Sequence, residues 1–177
     1  SLMRYDAITL GNHDFDFGTD ALALMLESAA KKTSQLGIEL PVILLANLDV
    51  KSDKRLSKAF ETVKVRPWTL VQKGGLKIAI IGVIGESAYH DAPDAAKLNF
   101  IDPAKAIKRL LPEIRSANPD YLIVLSHGGT ISKNGAQIAT FKITPNTLLD
   151  EVRSGGRVPL TIGRGLTAKA RVALGLG

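Results

Sequence analysis

Four polar side chains follow a short apolar run near the beginning of the chain. The run covers Ala7–Leu10, and the next residues are Gly-Asn-His-Asp, with a further carboxylate at Asp16. The amide oxygen of Asn12 is a hard donor for a metal ion, and His13 can bind a metal or transfer a proton near neutral pH. Asp16 lies three residues after His13, close enough to accept a hydrogen bond from one ring nitrogen and leave the other facing a substrate. This spacing predicts a base and the carboxylate that orients it.

A simpler interpretation of the same loop is a polar turn that precedes a helix. Asp14 or Asp16 would then lie near the helix N-cap, where a carboxylate accepts from free backbone N–H groups. His13 would be an exposed side chain without a chemical role. The spacing alone supports both interpretations equally.

A second histidine follows another apolar run. The residues Tyr121–Leu125 predict a buried strand that ends at Ser126-His127, which repeats the arrangement at His13. Ligands of open α/β sheets bind at the carboxyl ends of the strands. Both histidines are therefore expected at one edge of a shared sheet, around one pocket. The third histidine, His90, lies in a polar segment and favours an exposed loop.

Strand and helix patterns alternate through most of the chain and predict an α/β fold with a mixed β-sheet flanked by helices. One helix is expected from Thr19, as its cap, to about Leu36, and another begins at Asp102-Pro103 and is interrupted by Pro112. The expected strands cover Ala7–Leu10, Pro41–Ala46, a hairpin of Trp68–Lys73 and Leu76–Val83 joined by two glycines, and the strand before His127. The second arm of that hairpin is expected to be a central strand.

Four short motifs follow or end the expected strands. They are GNHDFDFG at Gly11–Gly18, ANLD at Ala46–Asp49, IIGVIGE at Ile80–Glu86 and VLSHGG at Val124–Gly129. In order and approximate spacing, over residues 3 to about 129, they resemble the catalytic domain of the 5′-nucleotidases, a branch of the calcineurin-like metallophosphoesterases. The resemblance implies a partial metallophosphoesterase-like α/β sandwich. The loop that holds Asn47 and Asp49 borders the site in this family, although a turn that ends the strand explains these residues equally well.

The resemblance also implies a role for each matching position. Asn12 and His127 match metal ligands, His13 matches the histidine that protonates or stabilises the leaving group, and Asp16 matches the aspartate that orients that histidine. The family uses two divalent ions, Mn, Zn or Mg, to activate water and neutralise the phosphoryl oxygens. The implied substrate is a nucleotide or another phosphomonoester. The family allows a periplasmic or extracellular location, and the sequence leaves the location open.

Several motifs of this family are missing from the chain. No Asp-x-His, bridging Gly-Asp or Gly-His-x-His motif accompanies the four that match. The remaining ligand positions are Asn12 and His127, whereas a divalent ion takes about four to six ligands. The sequence therefore predicts a metal-dependent phosphoric monoester hydrolase with an incomplete site. The alternative is an inactive fragment or fusion protein with a structural or anion-binding role, so enzymatic activity is left open.

The last part of the chain carries a different pattern. Residues 130–177 predict a ββαβα unit, which begins with a hairpin around Asn134-Gly135. Residues 134–177 resemble the end of the mobile domain of bacterial aconitase B, most specifically in the run LLDEVRSGGRVPLTIGRGLTAKARVALGL. No catalytic residue of that family maps onto this segment. We therefore expect two domains, 1–129 and 130–177, with a junction near residues 128–134.

Composition excludes several kinds of site and of protein. The chain has no cysteine, so a disulfide, a thiolate nucleophile and a cysteine-held iron–sulfur cluster are excluded for these 177 residues. No apolar run approaches the roughly 20 residues that span a bilayer, and Ser1-Leu2-Met3 begins no signal pattern. The net charge of +6 lies mostly after residue 127; without an aromatic platform it favours a solvated basic surface over nucleic-acid binding. The oligomeric state stays open.

Overall fold

A computed structural model describes residues 5–90, 92, 97–128, 130–133 and 136–140. The chain divides into two compact units, Ser1–Gly129 and Thr130–Gly177, and each is described by itself. The interpretation of these units as the two expected domains stays a prediction.

The first unit alternates strands and helices in the expected way. Its strands are β1 (Ala7–Thr9), β2 (Val42–Leu44), β3 (Leu48–Asp49), β4 (Trp68–Lys73), β5 (Leu76–Ile84), β6 (Asn99–Phe100) and β7 (Tyr121–His127). Its helices are α1 (Gly18–Leu36), α2 (Lys54–Val63), α3 (Glu86–His90) and α4 (Pro103–Ser116), and a 3₁₀ turn over Asn12–Phe15 precedes α1. The mixed α/β fold with flanking helices is confirmed.

The expected hairpin forms part of a three-stranded sheet of order β4-β5-β7, in which its second arm, β5, is the central strand, as predicted. Gly74 and Gly75 join β4 to β5 with φ of 57° and 82°, the left-handed values that a tight hairpin turn requires and that glycine adopts without strain. Strand β5 pairs antiparallel with β4 and parallel with β7, and in this register Ile84 lies beside His127. A second pair of strands, β1 and β2, is parallel. The residues that follow β1 therefore lie at the carboxyl end of a parallel strand.

Two hydrophobic clusters hold this unit together. The larger one joins the 3₁₀ turn, α1 and α2 to the end of β5, through buried side chains such as Phe15, Leu22, Leu56 and Ile84. The smaller one packs α4 against β5; it consists of Ala46, Ala79, Ile81, Val83, Leu110 and Ile114. Burial of these side chains fixes β5 between its covering helices.

Helix α4 continues to Ser116, so the interruption expected at Pro112 does not end the helix. Proline removes one hydrogen bond and leaves the carbonyl group of Lys108 without its helical partner. Pro112 lies on the exposed face of the helix, where water can satisfy that carbonyl group. The helix therefore runs through the proline.

Strand β7 is exposed, which corrects the expectation of a buried strand. Tyr121, Leu122, Ile123 and Val124 are 40–60% exposed. In the part of the chain that the structure describes, β7 pairs along one edge only, with β5. An apolar run therefore identified the strand correctly but not its burial, because burial depends on what covers the strand.

The second unit contains the expected hairpin. Strands β8 (Thr130–Lys133) and β9 (Ala136–Thr140) pair antiparallel, with a register shift between Ile131 and Ser132. The helices and strand predicted over 146–174 lie outside the described residues. Within the described ranges, no helix has the length and apolar character needed to cross a bilayer.

Asp53 caps α2 and gives a prediction about stability. Its Oδ1 accepts from the N–H groups of Arg55 and Leu56 at 3.1 and 2.9 Å. The bond from Leu56 N–H, followed by one from the Thr19 hydroxyl, lowers the pKa of the Asp53 carboxyl. Thr19 thus bonds to the N-terminus of α2 and is not the cap of α1, whose N-cap is Phe17.

We expect Asp53→Ala to lower the free energy of unfolding by about 1 kcal/mol at pH 7. Because folding lowers this pKa below its ordinary value of about 3.9, the stabilisation is complete above that value and is lost as the pH falls through the folded pKa. Urea unfolding over a pH series measures the loss. The control is Asp53→Asn, which keeps an acceptor but does not titrate. A difference between wild type and Asp53→Asn that stays the same at every pH would contradict this account.

Candidate functional site

The loop after β1 is shaped by its own backbone and by one anchor. Gly11 has an extended conformation, with φ of −130°, and the 3₁₀ turn starts at the next residue. Phe15 is fully buried and fixes the turn to the larger cluster. Asp14 Oδ2 accepts from the Gly11 N–H at 2.7 Å. Asp14 therefore caps the 3₁₀ turn, whereas the helix that follows, α1, has no side-chain cap from Asp14 or Asp16.

His13 and Asp16 form a pair on the outside of this turn. The distance from His13 Nδ1 to Asp16 Oδ2 is 2.8 Å, and the two side chains are 77% and 41% exposed. An exposed pair of this kind adds little to stability. Its effect is to fix the ring, because Nδ1 is held by the carboxylate while Nε2 is left for another partner.

Asn12 and His127 meet although 115 residues separate them in the sequence, with His127 Nε2 and Asn12 Oδ1 2.7 Å apart. The ends of β1 and β7 bring them together. Since an amide oxygen only accepts hydrogen bonds, a neutral His127 ring carries its proton on Nε2 in this arrangement. The structure thus joins His127 to the loop that holds His13, through Asn12.

Gly11 provides the space for the His127 ring. A Cβ atom at position 11 would lie 2.8 Å from three ring atoms of His127, namely Cγ, Cδ2 and Cε1. Carbon atoms do not approach so closely without displacement. Glycine at this position is therefore required for the ring to reach Asn12.

Asn47 and Asp49 bond to backbone groups, as expected if these residues serve to end the strand. Asn47 is fully buried, and its amide bonds to the backbone of Ile84 and Ile101. Asp49 Oδ1 accepts from the N–H of Lys51 at 3.0 Å and closes a turn. The motif around these residues gave no sign that Asn47 lies in the interior, because an asparagine after a strand is typical of a turn.

Two other residues that could take part in chemistry, His90 and Trp68, make contacts that are accounted for by the fold. His90 is 69% exposed on α3, with its Nε2 3.9 Å from Glu86 Oε1. Trp68 packs against the smaller cluster, and its Nε1–H donates to Glu113 Oε1 at 3.0 Å. His90 is exposed as expected, but it lies on a helix and not in a loop.

The described residues do not fit a complete metal centre. Asn12 Oδ1 and His127 Nε2 converge and are both neutral; to bind one cation, the His127 ring would have to carry its proton on Nδ1, and the hydrogen bond between the two atoms would give way to bonds to the ion. In the same ranges no cluster of three or more His, Cys, Asp or Glu side chains is arranged to hold a metal ion. A divalent ion takes about four to six ligands, so further ligands would have to come from other residues.

Relatives of two kinds match the chain. Residues 111–177 match the family described as the aconitate hydratase 2 N-terminus. Aconitate hydratase B of Helicobacter pylori is 40% identical over 106 residues, which are 60% of this chain and 11% of that protein. A 5′-nucleotidase-related protein of Glossina morsitans morsitans is 30% identical over 126 residues, 70% of this chain and 20% of that protein. The chain thus spans about a tenth to a fifth of these relatives.

Solved structures of similar fold agree with the second kind. The 5′-nucleotidase precursor of Thermus thermophilus superimposes with a TM-score of 0.58 at 27% identity, over 72% of this chain and 22% of that one. The calcineurin-like phosphoesterase YfkN of Bacillus subtilis shares the fold, with a TM-score of 0.52 at 20% identity over 80% of this chain and 40% of that one. The resemblances to 5′-nucleotidases and to aconitase B are both confirmed. The aconitase match starts at residue 111, so it includes β7 and His127.

Proposed function

We propose, from the resemblance of the first unit to the 5′-nucleotidases with their calcineurin-like phosphoesterase fold, that the chain is part of a phosphoric monoester hydrolase. The observation that carries this proposal is the arrangement at the end of β1. A histidine with an orienting carboxylate directly follows Asn12, which bonds to His127. A proton donor and two donor atoms of the kind that bind cations therefore lie on one loop and the neighbouring strand end.

His13 is the proposed proton donor. Its Nδ1 is held by Asp16 at 2.8 Å, so the protonated ring presents the Nε2–H outward, toward the oxygen that leaves when the P–O bond breaks. Donation of this proton neutralises the developing alkoxide. Asp16 stabilises the charged ring and fixes its direction.

Asn12 and His127 are proposed as two ligands of a divalent cation. The proposed ions are Mn, Zn or Mg, and the proposed substrate is a nucleotide or another phosphomonoester. Hydrolysis by the whole protein also requires the ligands that the described residues do not supply. The proposed location, periplasmic or extracellular, follows the family alone.

A second candidate is a folded fragment or fusion without activity, whose role is structural or anion-binding. Two observations favour it. The described residues supply two candidate ligands, fewer than a divalent ion takes. The chain also divides into two compact units, which have different resemblances. This candidate predicts weak metal binding and no turnover.

One experiment separates the two candidates. The purified chain is analysed for bound metal and assayed for phosphate release from adenosine monophosphate and from p-nitrophenyl phosphate, with and without added Mn²⁺. Our proposal expects Mn²⁺-dependent release that is proportional to protein concentration. A chain that binds no metal and releases no phosphate under either condition would reject hydrolase activity for these 177 residues.

A further inference from the structure

Asn47 has an unusual position for a polar residue. Among the described residues it is the polar side chain that is buried, with 0% exposure. Its side-chain amide makes three hydrogen bonds to the backbone. Oδ1 accepts from the Ile84 N–H at 2.9 Å, and Nδ2 donates to the carbonyl oxygens of Ile84 and Ile101 at 2.8 and 3.0 Å. The amide therefore holds both backbone groups of Ile84.

No neighbouring strand among the described residues holds Ile84 on this side. The pairing of β4 with β5 ends at Trp68 and Ile81. Beyond that point the Ala46 N–H donates to the Gly82 carbonyl oxygen at 2.7 Å, and the Asn47 side chain bonds to Ile84. Residues 46 and 47 thus continue the ladder along this edge of β5, and the Asn47 amide replaces a strand backbone.

The opposite edge of β5, at its last residues, contacts the candidate site. Ile84 lies in register with His127, and the Gly85 N–H donates to the His127 carbonyl oxygen at 2.8 Å. A Cβ atom on Gly85 would lie 2.8 Å from the Gly128 Cα, so the two backbones are in close contact. Any shift at the end of β5 therefore moves the backbone of His127.

We infer that Asn47 is a positioning residue, which sets the place of the His127 ring and so the bond between His127 and Asn12. The Asn47 amide bonds to Ile84, the next residue, Gly85, bonds to His127, and His127 bonds to Asn12. A change at position 47 reaches Asn12 through these three bonds. The importance of the place of the His127 ring for hydrolysis rests on the proposed function, in which His127 is a metal ligand. The positioning itself does not, because it concerns the protein without metal or substrate.

The physical reason is the cost of leaving buried polar groups without partners. An apolar side chain at position 47 would remove the partner of the buried N–H and carbonyl groups of Ile84 and of the partly buried carbonyl group of Ile101, and unpaired buried groups are strongly unfavourable. The end of β5 would move to find new partners. The ring of His127, which is fitted between Gly11 and Asn12, would move with it.

The test uses the imidazole signals of His127 in the NMR spectrum of the metal-free chain. The sequence has three histidines, so His13→Gln and His90→Gln assign the signals. We compare wild type with Asn47→Leu and with the milder Asn47→Ser, which keeps one hydroxyl. The control is Leu56→Ala, which removes a fully buried side chain on α2 without touching the amide network. Thermal unfolding shows that each sample is folded at the temperature of measurement.

We expect the His127 signals to shift most in Asn47→Leu, less in Asn47→Ser and least in Leu56→Ala. If Asn47→Leu does not fold, the comparison of Asn47→Ser with Leu56→Ala decides. Unchanged His127 signals in the Asn47 variants, or an equal shift in Leu56→Ala, would overturn the inference. Phosphate release is measured separately in the same samples: an inactive wild type rejects the proposed function and leaves the NMR result valid.

Discussion

Replacing His13 by alanine is expected to slow phosphomonoester hydrolysis by about 10²–10⁴-fold, the usual contribution of a positioned general acid. The ring is held by Asp16 through Nδ1, and its removal leaves the leaving oxygen without a proton donor. His13 is 77% exposed and packs into neither cluster, so the thermal midpoint should stay close to that of wild type. Initial rates of phosphate release at saturating substrate, together with thermal unfolding, measure the two effects.

The matched control is His90→Ala. His90 is likewise an exposed histidine with a carboxylate neighbour, Glu86, on the same unit, and this replacement should leave the rate unchanged. Asp16→Asn keeps the ring but weakens its orientation, so its rate should fall by less than that of His13→Ala. With an active wild type, equal rates for His13→Ala and His90→Ala would remove His13 from the mechanism.

Replacing Gly11 by alanine is expected to displace the His127 ring and to lower both stability and the rate of hydrolysis. The new Cβ would lie 2.8 Å from three atoms of the His127 ring, which must then leave its place beside Asn12. Overpacking of this kind costs about 1–3 kcal/mol of stability, and a misplacement of about 1 Å can lower the rate by about 10²-fold. The backbone of Gly11 has φ of −130°, which alanine adopts without strain, so the effect comes from the side-chain clash.

A double-mutant cycle tests this explanation. His127→Ala removes the ring, and with it the clash, so Gly11→Ala should cost much less stability in the His127→Ala background than in wild type. Urea unfolding of the four proteins gives the free energies. Equal costs of Gly11→Ala in both backgrounds would show that the methyl group acts elsewhere than on His127.

The sequence determined the features that depend on neighbouring residues. The turn at Gly74 and Gly75 follows from the left-handed backbone of glycine, and the start of α4 follows from the Asp102 cap, which accepts from the Lys105 N–H. The bond between His13 and Asp16 is equally local, because one turn of a helical backbone brings residues three apart to the same side. These interactions have the same geometry wherever the segment lies.

Only the tertiary structure decided the features that join distant segments. Residue patterns placed Asn12 and His127 at strand ends, but their contact over 115 residues depends on β1 and β7 ending at one place and on the space above Gly11. The burial of Asn47 and the exposure of β7 have the same origin. A residue's partners and cover come from elements that are far away in the chain, and a local sequence pattern carries no information about them.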